Sequence, residues 1–243
     1  MKYLKLLGAI AILLIATYFL EEHQLESENK LSSTDRVSSG QAIEDYKQAR
    51  QILWQSLYPN KGITLYCEQS FVTSNKQGIN IEHVFPMSWV TSSLDCGTRN
   101  QCRENSNKFN QIEADLHNLY PSRSDVNQER SSFAFAEIAG EKREFGRDCN
   151  FEVDRSRRLV EPAPHVQGEV ARSMFYMAYQ YRDDGLKLFD RQIRLLQEWH
   201  NSDLPSDHER ARNNKIEQLQ GNRNIFIDAP EKLDKLIAEG YFS

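Results

Sequence analysis

The sequence is short of cysteine and has no excess of positive charge. Its four cysteines include no Cys-x-x-Cys pair and no companion histidine at ligand spacing, so a zinc site is only a rival interpretation of them. The formal net charge of −5 argues against a protein that coats nucleic acid through its overall charge. A local cluster of cations would still be enough to hold a polyanion.

Only one long apolar run occurs in the chain, and it lies at the start. Lys2 and Lys5 precede an apolar stretch over residues 6–20, which acidic residues end abruptly. This layout is typical of a secretory signal, and the run is shorter than the roughly 20 residues of a spanning helix. We predict a signal peptide or N-terminal anchor over residues 1–20, a polar tether over 21–40 and one folded domain over 41–243. The protein would meet a membrane only if the first segment stays uncleaved.

Export changes the interpretation of the cysteines, because thiols pair in an oxidising compartment. Cys96 and Cys102 are close enough in sequence to staple one loop, and Cys67 with Cys149 would then join distant segments. Spacing alone does not fix this connectivity. We therefore predict structural disulfides and leave their pairing open.

Apolar spacing and turn residues predict a mainly helical single domain of the α+β class with a small sheet. We expect strands near residues 63–67, 79–85 and 151–160 and a polar loop over 95–108. Helices are predicted over 42–58, from 109 to a stop at Pro121, over 124–138, 166–182 and 186–199, and from Ser206. In the last of these helices Ser206 and Glu209 have capping-box spacing, and Gly221 follows the final turn.

The segment from Asn80 to Pro86 puts a carboxylate beside an imidazole at the end of an apolar strand. Adjacent residues on a regular strand point to opposite faces. Glu82 and His83 can serve one site only if the strand ends or twists there, and Pro86 is consistent with such a break. Taken alone, the pair is more often an exposed acid next to a hydrogen-bonded histidine.

Further motifs follow in a fixed order. Residues 113–121 read Glu-Ala-Asp-Leu-His-Asn-Leu-Tyr-Pro, residues 124–127 read Ser-Asp-Val-Asn, and residues 220–226 read Gln-Gly-Asn-Arg-Asn-Ile-Phe. Together with Glu-His-Val-Phe-Pro and an arginine before a cysteine, this order resembles the bacterial endonuclease I family of periplasmic and secreted nucleases. The similarity spans residues 44–228. It implies an exported monomeric endonuclease, periplasmic or secreted, that hydrolyses DNA with little sequence specificity; RNA is left open as a second substrate.

The resemblance also implies the roles of individual residues. The family belongs to the ββα-metal (His-Me finger) nucleases, whose site is two strands and a helix around one divalent cation. His83 would be the general base, Glu82 and Asn127 the ligands of Mg²⁺, with Mn²⁺ or Ca²⁺ as substitutes, and Arg99 the phosphate-binding cation. Substrate contacts or supporting positions would fall to Arg103, the alternative to Arg99, and to His117, Asn118, Arg123, Asn222 and Asn224.

The chemistry of phosphodiester hydrolysis agrees with these roles. The reaction needs a base for the attacking water and positive charge where the phosphate gains negative charge. A histidine with a pKa near ~6.5 is mostly neutral at physiological pH, and Mg²⁺ takes oxygen ligands with only one or two carboxylates. Such a site contacts the backbone of the substrate, which predicts weak sequence selectivity.

Other interpretations stay open. Asn127 would also suit a helix start, Arg99 a solvated loop, and His117 a structural role or, less often, that of the base. A non-catalytic exported protein that binds nucleic acid or takes up DNA is the alternative function, and a complete set of base and ligands argues against it. A hydrolase with Ser88 as nucleophile lacks the Gly-x-Ser-x-Gly motif. Residues 121–127 depart from the family pattern, with Arg123 an added cation near the site, so substrate contacts are uncertain.

Overall fold

The computed structural model of the chain describes residues 43–140 and 142–242. The predicted signal segment and tether, and the first residues of the predicted domain, lie outside these ranges. The described residues form a mainly helical α+β domain with small sheets, as predicted. Among them, no helix has the length and apolar character needed to cross a membrane.

Most elements are short. The strands of the described residues are β1 (Lys61–Ile63), β2 (Ser70–Val72), β3 (Ile79–His83), β4 (Leu119–Arg123), β5 (Ala134–Phe135), β6 (Phe151–Asp154) and β7 (Leu159–Pro162). The α-helices are α1 (Tyr46–Ile52), α2 (Met87–Leu94), α3 (Arg99–Asn105), α4 (Asn107–Glu113), α5 (Ser124–Arg130), α6 (Pro164–Gln180), α7 (Asp190–Ser202), α8 (Asp207–Gln220), α9 (Ile225–Asp228) and α10 (Lys232–Ala238). A π-helical turn (Leu53–Leu57) extends α1, and single 3-10 turns precede β4 (Leu116–Asn118) and follow α6 (Arg182–Asp184).

An antiparallel hairpin of β3 and β4 carries the predicted catalytic residues. Its register runs from Ile79 opposite Arg123 to His83 opposite Leu119. The connection between the two strands, residues 84–118, holds α2, α3 and α4. Helix α5 begins directly after β4 and packs on both strands. The hairpin and α5 thus form one unit, to which the inserted helices bring further side chains.

The core consists of two apolar clusters. The larger one surrounds α6, whose Val170, Met174 and Phe175 are fully buried, and includes residues of α7 and of the β5-β7-β6 sheet. The smaller one lies between α1, β4 and α8 and includes Leu53, Leu119 and other side chains. The capping box predicted for α8 is formed, and Gly221 ends that helix with a φ of +87°, a left-handed conformation that favours glycine.

Two disulfides cross-link the described residues. Cys96 bonds to Cys102 and Cys67 bonds to Cys149, with sequence separations of 6 and 82 residues. Because the entropy lost by the unfolded chain grows with loop length, the loop-closure argument assigns roughly 4 kcal/mol to the long bridge and about 2 kcal/mol to the short one. The prediction of structural disulfides is confirmed, and the longer bridge is the one that stabilises the fold most.

Three helix and loop predictions were wrong, besides the strand expected near residues 63–67, where β1 ends at Ile63 and a turn follows. Residues 95–108 are not a loop, because Thr98 and Gln101 form a capping box that starts α3. The helix expected to reach Pro121 ends at Glu113, and the following segment forms β4. Pro121 fits there because it lies on a short strand paired with β3, and its carbonyl accepts a hydrogen bond from the Leu65 amide.

The third wrong prediction is the helix over residues 124–138. Helix α5 ends at Arg130, and Ser131 follows with a φ of +51°, outside the helical region. The chain then becomes extended, and β5 pairs in parallel with β7. Phe133 and Phe135, which suggested helical spacing, pack instead on the sheet side of the larger cluster.

Candidate active site

A cleft of about 470 Å³ opens where β3 ends. Glu82 and His83 line it from the end of β3, Arg99 from the start of α3, and Asn127 from the middle of α5. The strand does end at His83, as one common site for the two adjacent side chains requires. The structure therefore brings together the four residues that the motifs single out, from three separate parts of the chain.

His83 is held in one orientation and one protonation state. Its Nε2 lies 3.0 Å from the carbonyl oxygen of Glu113, and its ring packs against Tyr46 with centroids 5.0 Å apart. Because a carbonyl only accepts, Nε2 must carry the proton, which leaves the lone pair on Nδ1. Burial, reinforced by the charge of Arg99, lowers the pKa of His83 to about 3. The imidazole is therefore neutral at physiological pH, with the lone pair on Nδ1.

Glu113 organises the cations beside this histidine. Its carboxylate is fully buried and accepts hydrogen bonds from Nε of Arg99 and from Nε and Nη2 of Arg103, the latter two at 2.8 Å. Arg99 uses only Nε in this contact, its side chain is 42% exposed and it lines the cleft. Its two Nη groups are thus the ones placed to meet a phosphate. Glu113 thus holds the His83 ring through its backbone carbonyl and the Arg99 guanidinium through its side chain.

Glu82 is a buried carboxylate with two side-chain partners and a hydrogen bond from the backbone amide of His83. The hydroxyl of Tyr66 donates to Oε1 at 2.8 Å, and Nε of the fully buried Arg130 lies 3.0 Å from the same oxygen. Burial raises the pKa of Glu82 to about 7, although Arg130 and Tyr66 both act to lower it. One guanidinium therefore compensates this acid only partly, and a further cation in the cleft would favour its ionised form.

Asn127 presents its amide oxygen to the cleft. The amide nitrogen donates to Oδ1 of Asn80 at 2.9 Å and to the carbonyl of Ile81 at 3.0 Å. Since both contacts occupy the nitrogen, the oxygen is the group left for a ligand. These two bonds also tie α5 to β3.

The oxygen donors of the cleft fit a hard divalent cation. Oε2 of Glu82 is not used by Tyr66 or Arg130, and Glu82 and Asn127 both line the cleft. One carboxylate and one amide oxygen match the sparse protein shell that Mg²⁺ accepts while it keeps several waters. Among the described residues, no three His, Cys, Asp or Glu side chains converge as a metal cluster, and the lining of this cleft includes no cysteine.

Comparison with known proteins decides the family. The profile described as Endonuclease I matches residues 19–231. The chain is 33% identical over 211 residues to an extracellular deoxyribonuclease of Aeromonas hydrophila, in an alignment that covers 76% of this chain and 89% of the relative. It is 32% identical over 184 residues to Endonuclease-1 of Buchnera aphidicola, which covers 73% and 70%. It is also 30% identical over 248 residues to an extracellular ribonuclease of Bacillus subtilis, which covers 90% and 78%.

The chain belongs to the endonuclease I family. The family resemblance stated from the motifs is confirmed, and the protein is a nuclease.

Two arginines that the sequence associates with the site lie outside the cleft of this endonuclease I family member. Arg103 binds Glu113 in a bidentate contact and is not among the residues that line the cleft. Arg123 sits at the opposite end of the hairpin from His83, where it binds Asp125 and the carbonyl of Phe145. Of the three candidate cations, the structure places Arg99 alone among the residues that line the cleft.

His117, Asn118, Asn222 and Asn224 lie behind the cleft and hold the endonuclease I fold together. The amide of Asn118 exchanges two hydrogen bonds with the backbone of Phe85, at 2.6 and 3.0 Å, and so continues the hairpin beyond its strands. Asn224 caps α9 and donates to the Arg172 carbonyl. Nε2 of His117 lies 3.3 Å from the carbonyl of Asn222, and Nδ1 is buried without a partner.

His117 gives this endonuclease I protein a pH-dependent stability. Burial lowers the pKa of His117 to about 4, below the usual value of 6.5, because its second proton would sit on the partnerless Nδ1. The folded state thus binds fewer protons than the unfolded state between pH 4 and 6.5. The stabilisation is complete above pH 6.5 and is lost as the pH falls. We expect the wild type to lose about 3 kcal/mol more than His117→Gln between pH 7 and pH 4.

Urea unfolding of the two proteins at both pH values measures this difference. Glutamine can still donate to the Asn222 carbonyl, so His117→Gln keeps the one contact that the ring makes. Equal pH dependence of the two proteins would contradict the assignment to His117.

Sequence reasoning missed Arg130 and Tyr66, the two side-chain partners of Glu82. Arg130 follows Asn127 by three residues, which is the spacing that puts two side chains on one helix face, and this was the available signal. Tyr66 comes from the turn after β1, and nothing in the local sequence relates it to Glu82. Glu113 makes two salt bridges, and its backbone carbonyl holds the His83 ring as well.

Proposed function

We propose that this nuclease is an exported endonuclease, periplasmic or secreted, that hydrolyses phosphodiester bonds of DNA with little sequence preference and requires one divalent cation. RNA is the second substrate. The observation that carries the proposal is the cleft in which a neutral, oriented His83 lies beside Arg99, Glu82 and Asn127. Relatives named extracellular deoxyribonuclease and extracellular ribonuclease support the export and both substrates.

The reaction follows from these side chains. A phosphate enters the cleft and binds the Nη groups of Arg99, which offset the charge that grows on its oxygens. Nδ1 of His83 accepts a proton from the attacking water, and the Nε2 bond to Glu113 stabilises the ring as it gains charge. The cleft meets the sugar-phosphate backbone and not base edges, so sequence is read weakly.

The cation adds to this chemistry at a defined place. In this proposal β3, β4 and α5 are the two strands and the helix of the ββα-metal arrangement that the family resemblance implies. Glu82 and Asn127 would hold Mg²⁺, or Mn²⁺ or Ca²⁺ in its place, and the bound ion would polarise the phosphate and favour departure of the leaving oxygen.

A metal titration tests the proposal. Purified protein is incubated with plasmid DNA and with RNA, with and without Mg²⁺, and with excess chelator. We expect cleavage of both substrates only with the metal, and we expect Asn127→Ala to raise the half-saturating Mg²⁺ concentration at least about tenfold. Asn201→Ala, which removes an exposed amide from α7, is the matched control and should titrate like wild type.

Two results would overturn the proposal. Intact DNA and RNA in the presence of Mg²⁺ would favour the alternative, a nucleic-acid-binding or DNA-uptake protein without catalysis. Cleavage that survives the chelator would remove Glu82 and Asn127 as metal ligands.

A further inference from the structure

A second groove, of about 730 Å³, lies along α1 and the π-helical turn that extends it. Lys47, Arg50 and Lys76 line it together with two glutamines, a serine, a threonine, Trp54 and Pro59. Among the described residues that line this groove, none is acidic. The formal net charge of the chain is −5. Three cations without a carboxylate therefore give this groove a positive electrostatic potential that contrasts with the charge of the whole chain.

The sequence of α1 explains why the cations share one face. Residues 47, 50, 51 and 54 follow one another at helical spacings of three and four, so their side chains project on the same side. The opposite side of the helix carries Ala49 and Leu53, which are fully buried in the smaller core cluster. The helix therefore packs by its apolar face and presents its basic face to solvent.

Trp54 forms an apolar floor for the groove. The ammonium of Lys76 lies 5.2 Å from the centre of the indole ring and donates to the carbonyl of Thr73 at 2.9 Å. The ring edge packs against Phe71. Two contacts thus hold this lysine in place. The low-dielectric ring beneath it strengthens the electrostatic attraction between the ammonium and a bound anion.

The groove is connected to the cleft through Tyr46. The guanidinium of Arg50 lies 5.8 Å from the centre of the Tyr46 ring, and those of Arg99 and Arg103 lie 5.7 and 5.6 Å from it. The same ring packs against His83. A continuous basic path, Arg99, Arg50, Lys47 and Lys76, therefore runs from the proposed catalytic base into the groove.

We infer that this path is a backbone-binding track. It holds the phosphates of the nucleic-acid strand that lie beyond the phosphate at which the strand is cut. The inference rests on the proposed function for the position of the cut phosphate. The polar residue types of the groove, Lys, Arg, Gln, Ser and Thr, are those that contact phosphate oxygens in protein–nucleic acid complexes. From Tyr46 to Trp54 the helix rises about 12 Å, which corresponds to roughly three to four nucleotides of a strand.

A charge-matched pair of triple variants tests the track. Lys47→Gln/Arg50→Gln/Lys76→Gln removes its three cations. Lys187→Gln/Arg191→Gln/Arg194→Gln removes three exposed cations at and before α7 and changes the net charge equally. For the track variant we expect KM for long DNA to rise at least about tenfold with kcat within about twofold. The slope of log KM against log salt should fall by about 2 to 3 units, while the control variant stays near wild type.

Substrate length provides a second readout. A DNA of four nucleotides should be cut with the same KM by wild type and the track variant, because it ends before the groove, whereas one of twelve or more should distinguish them. Thermal unfolding checks that both triple variants are folded. Equal KM and equal salt slope for the track and control variants, or a loss of kcat alone, would overturn the inference.

Binding measurements separate this inference from the proposed function. Fluorescence anisotropy of a labelled long DNA is measured with His83→Ala protein, with and without the track substitutions. Weaker binding of the track variant supports the track even if no cleavage is found, and unchanged binding contradicts it even if the enzyme cuts as proposed.

Discussion

Replacing His83 by alanine should lower kcat about 10²- to 10⁴-fold, the usual contribution of a general base. The expectation follows from the protonation state of the ring, since the Glu113 carbonyl fixes the proton on Nε2 and leaves Nδ1 to accept one. The measurement is initial-rate cleavage of plasmid DNA at saturating Mg²⁺. The KM for DNA and the half-saturating Mg²⁺ concentration should change little, because neither Arg99 nor the oxygen donors are touched.

Two other histidines provide matched controls. His117 and His200 are also buried, each has Nε2 on a backbone carbonyl, of Asn222 and Pro230 respectively, and burial lowers the pKa of both. Neither is among the residues that line the cleft. We expect His117→Gln and His200→Gln to keep kcat within a few-fold of wild type. Loss of activity in His117→Gln with full activity in His83→Ala would show that the base is misassigned.

These controls also show why a lowered histidine pKa alone does not identify the base. The shift arises wherever an imidazole is buried, so it marks four of the described histidines, His83, His117, His200 and His208. What distinguishes His83 is its place at the end of β3, next to Glu82 and within the same cleft as Arg99. The proposed role of His83 as the base therefore rests on its position in the fold and not on its pKa.

The motifs predict which residues line the cleft better than apolar spacing predicts the elements around it. Glu82, His83, Arg99 and Asn127 were singled out because they occur in ordered motifs, and the structure places all four around one cleft. Arg130 and Tyr66 were missed because their relation to Glu82 exists only in the folded protein. A buried ion pair between residues 48 positions apart leaves no periodic trace in either segment.

The prediction of local structure failed where one apolar spacing fits two conformations. Leu116 and Leu119, three residues apart, fit a helical stripe, yet they belong to a 3-10 turn and the start of β4. Both faces of β4 are buried, so the alternation that marks a half-exposed strand is absent. Helix α3 was missed because it has no apolar stripe. Cys102 is its one buried residue.

The ion pair behind the cleft should be costly to break. Arg130→Met leaves the Glu82 carboxylate buried with Tyr66 as its remaining side-chain partner, and we expect a loss of about 3–5 kcal/mol in the free energy of unfolding. Glu82→Gln keeps the Tyr66 hydrogen bond but removes the charge that Arg130 needs. The double variant should lose less than the sum of the two, with a coupling energy of at least about 2 kcal/mol in urea unfolding.

The cost of Arg130→Met should also depend on pH. Burial already raises the pKa of Glu82 to about 7, above the usual value of 4.5, and removing the guanidinium raises it further. An acid whose pKa is higher in the folded state contributes its full stability below the unfolded pKa and loses it as the pH rises. The destabilisation by Arg130→Met should therefore be small at pH 5, begin to grow as the pH rises through about 7, and still be increasing at pH 8.

Activity should separate the two members of this pair. Glu82→Gln removes a proposed metal ligand and should lower cleavage at least about 100-fold, whereas folded Arg130→Met keeps the carboxylate and should lose less. Arg172→Met breaks a second buried pair, with Glu209, and should cost similar stability without changing the activity of the folded enzyme. If Glu82→Gln cuts DNA at the wild-type rate, Glu82 is only the partner of Arg130. A large loss of cleavage activity in Glu82→Gln, by contrast, supports Glu82 as a ligand of a metal cation as well as the partner of Arg130. That second role explains why the chain keeps this carboxylate buried despite its cost in stability.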